Sequence, residues 1–281
     1  MLPQWNFQNQ VNAVGGMIFL IVGSYFAWDL TRSTEIPPCS ARFGVPTQMS
    51  FQKANGTVLS PPEFQARVGI NERGVIEKTQ IHRVIGDKPL VLNIQLGGPL
   101  SEDTGVRFGW TLAGLDKAAG ACLAYNVFVP STFNFGNGGT LPGLFGQASG
   151  VVADDAVSGV EAALSWNDQG NLVQSVQFSG STAALQNAQP THLMTMANLP
   201  RGRWARIEQE AVFNTPDVAD GTVRLWVDGR LALEHTQLML RLHPGIRWAG
   251  TLADVRYLTS HSGVDRPPTL VQLTPPQMSW K

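Results

Sequence analysis

The stretch from Ala121 to Gln147, ACLAYNVFVPSTFNFGNGGTLPGLFGQ, constrains the fold of this chain more than any other. Leu123, Tyr125, Val127 and Val129 alternate with Cys122, Ala124, Asn126 and Phe128, the period-two pattern of a pleated segment. Pro130 has no donor for a ladder and ends the strand. The residues after it carry Gly136, Gly138, Gly139, Gly143 and Gly146 around Pro142. They read as a long loop that turns sharply and lies close to other backbone. Phe133, Phe135 and Phe145 are expected to pin that loop to a core.

The rest of the chain repeats the strand signal. Pro89 to Leu96 alternates, with Leu90, Leu92, Ile94 and Leu96 inward and Asn93 and Gln95 outward. Gly74 to Ile85 alternates too, and Phe108 to Leu112 is a short candidate. Val160 to Trp166 and Asn171 to Phe178 read as strands joined by the turn Asn167-Asp168-Gln169-Gly170. Ser179 to Pro200 reads as polar and irregular. Trp204 to Asn214 is a strand whose Arg206, Glu208 and Glu210 form a solvated row. Thr222 to Val227 and Arg230 to Glu234 form a hairpin about Asp228-Gly229, a type I′ signal. Trp248 to Tyr257 supplies a last strand, and a short helix starts at Pro61-Pro62. With 29 glycines and 18 prolines, the composition fits an all-β domain of many turns. A net charge of −1 gives no basic field to recruit nucleic acid.

Residues 1–28 contain no charged side chain and no histidine. Val11 to Trp28, VNAVGGMIFLIVGSYFAW, is apolar except for Asn12 and Ser24, close to the ~20 residues a membrane-spanning helix needs. Phe19 lies mid-span, and Trp5, Tyr25 and Trp28 sit where aromatic belts form. The rival is a cleaved signal peptide. That reading lacks a basic n-region and has a poor small-x-small site before Ala27, so an uncleaved anchor is favoured. Arg32 and Arg42 follow the helix, and a literal positive-inside count would keep the bulk of the chain in the cytoplasm. Cys39 and Cys122, the two cysteines, allow one disulfide. Because Cys39 lies in a linker-like, proline-rich stretch, the expectation is two free thiols, with Cys122 buried in its strand.

Two ordered segments carry a family resemblance. The first is the strand with its Phe-rich turn and GG-x-LPGL-x-G. The second is RWARIEQEAVFNTPDVADGTVRLWVDGRLALEHTQLMLR, Arg203 to Arg241, with an NTP turn, a DG-x-x-x-LW-V-DG-R hairpin and a closing L-x-L-R. Both resemble polysaccharide lyase family 14, the alginate and glucuronan lyases. The resemblance spans about half of the chain, from Cys122 to Ser260. It implies a concanavalin-like β-jelly roll of two packed antiparallel sheets with a groove on one concave face. It also implies an exported domain, periplasmic or extracellular. The expected organisation is a tail at 1–10, a transmembrane helix at 11–28 and a proline-rich linker at 29–62. The jelly roll follows at 63–265, with an extended tail at 266–281.

The chemistry the resemblance implies is β-elimination next to a uronate carboxylate. That step needs a cation or amide on the carboxylate, a base that reaches C5 and an acid for the leaving oxygen. The family supplies a lysine from GGKLPG, Ser and Arg in S-x-R-x-x-W spacing, and paired tyrosines from the next strand. Here the lysine position is Thr140, the Ser position is Glu161 and the Arg position is Ala163. The tyrosine strand is NLVQSVQF, without a tyrosine. The expectation is therefore a non-catalytic, membrane-anchored structural or interaction subunit. An active lyase with rearranged residues and a glycan-binding module are the alternatives.

Gln80-Ile81-His82 matches the QIH triplet of another jelly-roll alginate lyase family, but without its companion motifs His82 reads as a polar strand residue. The remaining histidines are scattered, so no metal and no cofactor is expected. Arg224 and Trp226 share one strand face. They offer a binding surface for a sugar or a protein, with Phe133, Phe135, Thr140 and Phe145, unless Trp226 packs under a neighbouring loop. Expected partners are the membrane, other membrane subunits and an acidic polysaccharide.

Overall fold

The computed structural model describes residues 36–68, 70–83, 90–98, 105–149, 157–180, 191–258 and 266–281. The larger sheet has nine strands. Its order is β13 (Arg230–Leu238), β12 (Gly221–Val227), β11 (Trp204–Val212), β6 (Gly120–Phe128), β15 (Arg266–Leu273), β4 (Leu90–Gly98) and β3 (Thr79–Arg83). Strand β16 (Gln277–Trp280) also pairs with β6, and β1 (Thr47–Gln48) pairs with β16. The smaller sheet has seven strands: β10 (Thr191–Asn198), β9 (Asn171–Gly180), β8 (Val157–Trp166), β7 (Gly139–Ala148), β14 (Ile246–Val255), β5 (Val106–Thr111) and β2 (Ile70–Arg73). All these pairings are antiparallel. Short helices α1 (Cys39–Arg42), α2 (Pro61–Arg67) and α3 (Val75–Lys78) decorate the sheets. Helix α2 starts where the proline pair suggests, and Ser60 and Glu63 close a capping box at its first turn.

The two sheets share one core. Leu123, Tyr125 and Val127 of β6, with Ile207 and Ala211 of β11, meet Leu144 of β7 and Val160, Ala162 and Leu164 of β8. This two-sheet jelly-roll architecture is the one the strand pattern and the family resemblance imply. The hairpin turn is as expected, with Asp228 at φ 51° and Gly229 at φ 79°.

The glycine-rich stretch differs from its expectation. Residues 139–148 are not loop but β7, the strand between β8 and β14. Proline is tolerated inside it because the register slips between Leu141 and Leu144, and Pro142 sits in that bulge. The bulge leaves backbone groups without ladder partners, and side chains supply them. The Leu144 N–H donates to Gln209 Oε1 at 3.1 Å, and Gln209 Nε2 donates to the Ala162 carbonyl at 3.0 Å. Tyr125 donates its hydroxyl to the Pro142 carbonyl, and Thr251 donates to that of Gly143. Gln209 comes from the opposite sheet, so the bulge also ties the layers together.

Five further expectations are corrected. Residues 191–198, read as irregular, form β10, whose alternation was masked by outward methionines. The stretch read as a linker is built into the domain from Pro37 onward, with Met49, Phe51 and Leu59 in the core. The C-terminal tail supplies β15 and β16 to the larger sheet. Cys39 and Cys122 are not free thiols but a disulfide, which pins α1 to β6. Under that helix the row on β11 is covered rather than solvated. Glu210 is 0% exposed and pairs with Arg42 and Arg224, while Glu208 accepts from the Ser40 N–H and from Arg206. The linker reading failed because proline content signals an extended chain, and an extended chain can equally lie across a sheet.

The anchor read at 11–28, with Trp5, Phe19, Tyr25 and Trp28, lies outside the described residues. Among the described residues no helix is long and apolar enough to cross a membrane.

Candidate functional site

The face of the smaller sheet turned away from the core carries the positions where lyase chemistry is expected. On β8, Val160, Ala162, Leu164 and Trp166 point into the core. Glu161, Ala163 and Ser165 therefore point outward. On β9 the same alternation puts Val173, Ser175 and Gln177 outward. Pairing then sets rows across the sheet. Thr140 lies opposite Ser165, which lies opposite Val173. Ala163 lies opposite Ser175, which lies opposite His192 of β10. Phe145 lies opposite Glu161, which lies opposite Gln177.

The last of these rows opens into a cavity of 220 Å³ lined by Arg107, Phe145, Gln147, Glu161, Gln177 and Leu252, among others. Arg107 comes from β5 and its guanidinium is held by Asp254 of β14 at 2.7 Å. A second edge of that guanidinium faces Glu161 at 3.8 Å, outside hydrogen-bonding distance. Arg256 closes the cluster on Asp254 at 2.9 Å. Burial raises the Glu161 pKa and the Asp254 charge adds to the rise, while Arg107 and Arg256 oppose it. Glu161 is thus a carboxyl that holds its proton more readily than a free one, beside a cation already partly committed to another carboxylate.

The sequence-expected site residues do not converge. Thr140 is on this face, its N–H donating to the Arg256 carbonyl at 2.8 Å. Phe145 is here as well, on the cavity wall and not in the core as expected. Phe133 and Phe135 are core residues, packed with Trp166 and Tyr257, so they offer no surface. Arg224 and Trp226 lie on the far side of the larger sheet. Trp226 is 0% exposed, with the Arg42 guanidinium 5.5 Å above its ring. It packs under the lead-in segment, the second of the two readings its sequence allowed. Arg224 is held by Glu210 and Glu234. His82 lies on β3, in the larger sheet and away from this face. The Arg107–Asp254–Arg256 cluster had no sequence signal, because its members meet only through the pairing of β5 with β14.

A proton-abstracting site on this face would need a cation and a hydroxyl or imidazole beside the sugar. Thr140, Ala163, Ser175 and Gln177 provide hydroxyls and an amide but no cation, and the cation and the imidazole present on this face, Arg107 and His192, stand at positions other than those the resemblance assigns to the chemistry. Cys39, Cys122 and Glu208 bring their ligand-type atoms within 4.8 Å of one another on the other sheet. The sulfurs there are bonded to each other and are not thiolates.

The sequence profile of polysaccharide lyase 14 matches residues 97–257. The chain belongs to the polysaccharide lyase 14 family. Solved structures agree on the fold. A family 14 alginate lyase from Aplysia kurodai superposes with a TM-score of 0.64 at 17% identity, over 84% of this chain and 98% of that one. An alginate lyase from Chlorella virus gives 0.60 at 16%, over 84% and 100%. An endo-β-1,4-glucuronan lyase from the fungus Trichoderma reesei gives 0.51 at 9%, over 75% and 91%. Among curated proteins none matches. Within polysaccharide lyase 14, then, this chain keeps the jelly roll and the GG-x-LPG strand, and carries Thr140, Glu161 and Ala163 where the resemblance places lysine, serine and arginine.

Proposed function

We propose that this member of polysaccharide lyase 14 binds an acidic polysaccharide on the outer face of its smaller sheet and does not cleave it. The observation that carries the reading is the substitution pattern on that face. The lysine, arginine and tyrosine pair that the resemblance assigns to β-elimination are missing from their positions, while a polar, walled cavity remains. Arg107 on β5 and Arg256, directly after β14, stand beside Glu161 and Asp254, which supports a ligand bearing carboxylates. Family membership supports a polysaccharide rather than a small molecule.

The finer proposal places the domain outside the cytoplasm, tethered by residues 11–28, with other membrane subunits as partners. The disulfide supports export, because such bonds persist in oxidising compartments. Co-purification from native membranes tests the tether and the partners.

A second reading, an active lyase with rearranged residues, is favoured by family membership and by Glu161. That carboxyl is the acid–base group on the cavity wall. One assay separates the two: full-length protein is incubated with alginate, glucuronan and pectate while binding and the far-ultraviolet absorbance of unsaturated product are recorded. Binding without product supports the proposal, and turnover above a heat-killed control replaces it with the lyase.

A further inference from the structure

The cavity beside Arg107 holds a carboxyl where a ligand carboxylate would have to sit. Arg107 spends one edge of its guanidinium on Asp254 and turns another toward Glu161 without a direct hydrogen bond. That second edge is where a planar carboxylate finds a forked donor pair. Phe145 and Leu252 line the wall on the two strands between Arg107 and Glu161, so an incoming carboxylate cannot stay far from Glu161. Two carboxylates sharing a partly desolvated site do not both ionise, and one of them takes a proton.

Resting on the polysaccharide reading above, we propose that the Arg107 edge of this cavity takes one uronate carboxylate of the polymer and that Glu161 binds a proton when it does. Affinity then rises as the pH falls. The direction of the Glu161 pKa, raised chiefly by burial, agrees with this geometry. The groups facing Glu161 leave it as the titrating member. From β5 comes Arg107 and from β14 Asp254, Arg256 follows directly after β14, and Arg247 lies farther along that strand. From β7 come Phe145 and Gln147, and from β9 Ser175 and Gln177, none of which changes charge. On β10 the nearest titratable neighbour is His192, opposite Ser175.

The consequence is quantitative. If the polymer binds only the form with Glu161 protonated, the dissociation constant increases up to tenfold per pH unit above the Glu161 pKa. A uronate carboxyl stays charged over the tested range, since carboxyls of this kind ionise near 3.3–3.7. The Glu161→Gln variant carries the neutral shape permanently. It should bind with the same affinity at pH 8 as at pH 5, and at pH 8 more tightly than the natural chain.

The experiment is calorimetric titration of the full chain with alginate oligosaccharides from pH 5 to pH 8, in buffers of different ionisation enthalpy. His192→Asn is run alongside, because imidazoles also change charge in this range. Proton uptake on binding, a weakening slope for the natural chain and a flat profile for Glu161→Gln are expected, with His192→Asn behaving as the natural chain. A flat profile for the natural chain, or a Glu161→Gln variant that keeps the slope, overturns the proposal while leaving polysaccharide binding intact. If neither protein binds at any pH, the functional reading and this inference fail together.

Discussion

Removing the Cys39–Cys122 disulfide should cost a large part of the stability of this domain. The bond joins residues separated by 83 positions. Chain-entropy reasoning for a closed loop of that length gives about 4.5 kcal/mol at 25 °C. The structure gives a second reason to expect a loss. The bond holds α1 over Glu208, Glu210 and Trp226, where Arg42 pairs with Glu210 and the Ser40 N–H donates to Glu208. Once the helix lifts, those carboxylates regain water but the apolar surface beside them loses its cover. The perturbation is Cys39→Ala with Cys122→Ala, compared with the oxidised chain and with the chain in excess reductant. At roughly 2–4 °C per kcal/mol for a domain of this size, Tm should fall by about 9–18 °C. Urea unfolding should give the free energy directly. A loss below about 1 kcal/mol, or two titratable thiols in the native oxidised protein, would refute the reasoning.

Other perturbations test the layers of the argument separately. A Cβ on Gly139 would come within 2.5 Å of the Arg256 carbonyl and closer still to the Trp166 ring. Gly139→Ala should therefore cost about 3 kcal/mol by overpacking, at the upper end of the usual range, whereas Gly229→Ala, with open space around its Cβ, should cost only the left-handed backbone strain at φ 79°, about 1–2 kcal/mol. Gln209→Ala strands the Leu144 N–H and the Ala162 carbonyl in the core, and urea unfolding should show a loss of about 3 kcal/mol. Glu161 has a folded pKa raised above its ordinary 4.5, so the native state holds its proton more tightly than the unfolded chain. Stability from this group is present below pH 4.5 and is lost as pH rises through the raised value. Glu161→Gln should gain in Tm relative to the natural chain between pH 4 and pH 7, and a constant difference would contradict the assignment.

The local period-two pattern is enough to locate β4, β6, β8, β9 and the β12–β13 hairpin, because each of those strands turns one alternating set of side chains into the core between the sheets. It failed on β7. Five glycines and a proline between Gly136 and Gly146 look like loop chemistry, yet the chain there is mostly strand. What makes it a strand is nonlocal. Gln209, Tyr125 and Thr251 satisfy the groups that Pro142 and the bulge leave open, and no window around residue 142 contains them. Gly139 shows the same limit. Its need for glycine comes from Trp166 and the Arg256 carbonyl, while the left-handed conformation belongs to Gly138 at φ 99°.

The candidate site was half legible. Counting back from Trp166 placed Glu161 and Ala163 on the correct strand, because a register within one hairpin follows from spacing. Arg107 and Asp254 carry no such signal, since they meet across a separation of 147 residues, more than half of the chain. Arg224 and Trp226 stand out in the sequence by residue type and shared strand face. That criterion cannot see that the segment around Cys39 folds back over them.

The most direct test of the central claim is to measure binding and turnover on the same sample. Full-length protein is mixed at pH 5 with alginate, and bound polymer is quantified while the absorbance of unsaturated uronate is followed. Polysaccharide binding without β-elimination predicts saturable binding that Arg107→Gln weakens, with no product above the heat-killed control. Sustained product formation would contradict it, and so would the absence of any binding to alginate, glucuronan and pectate.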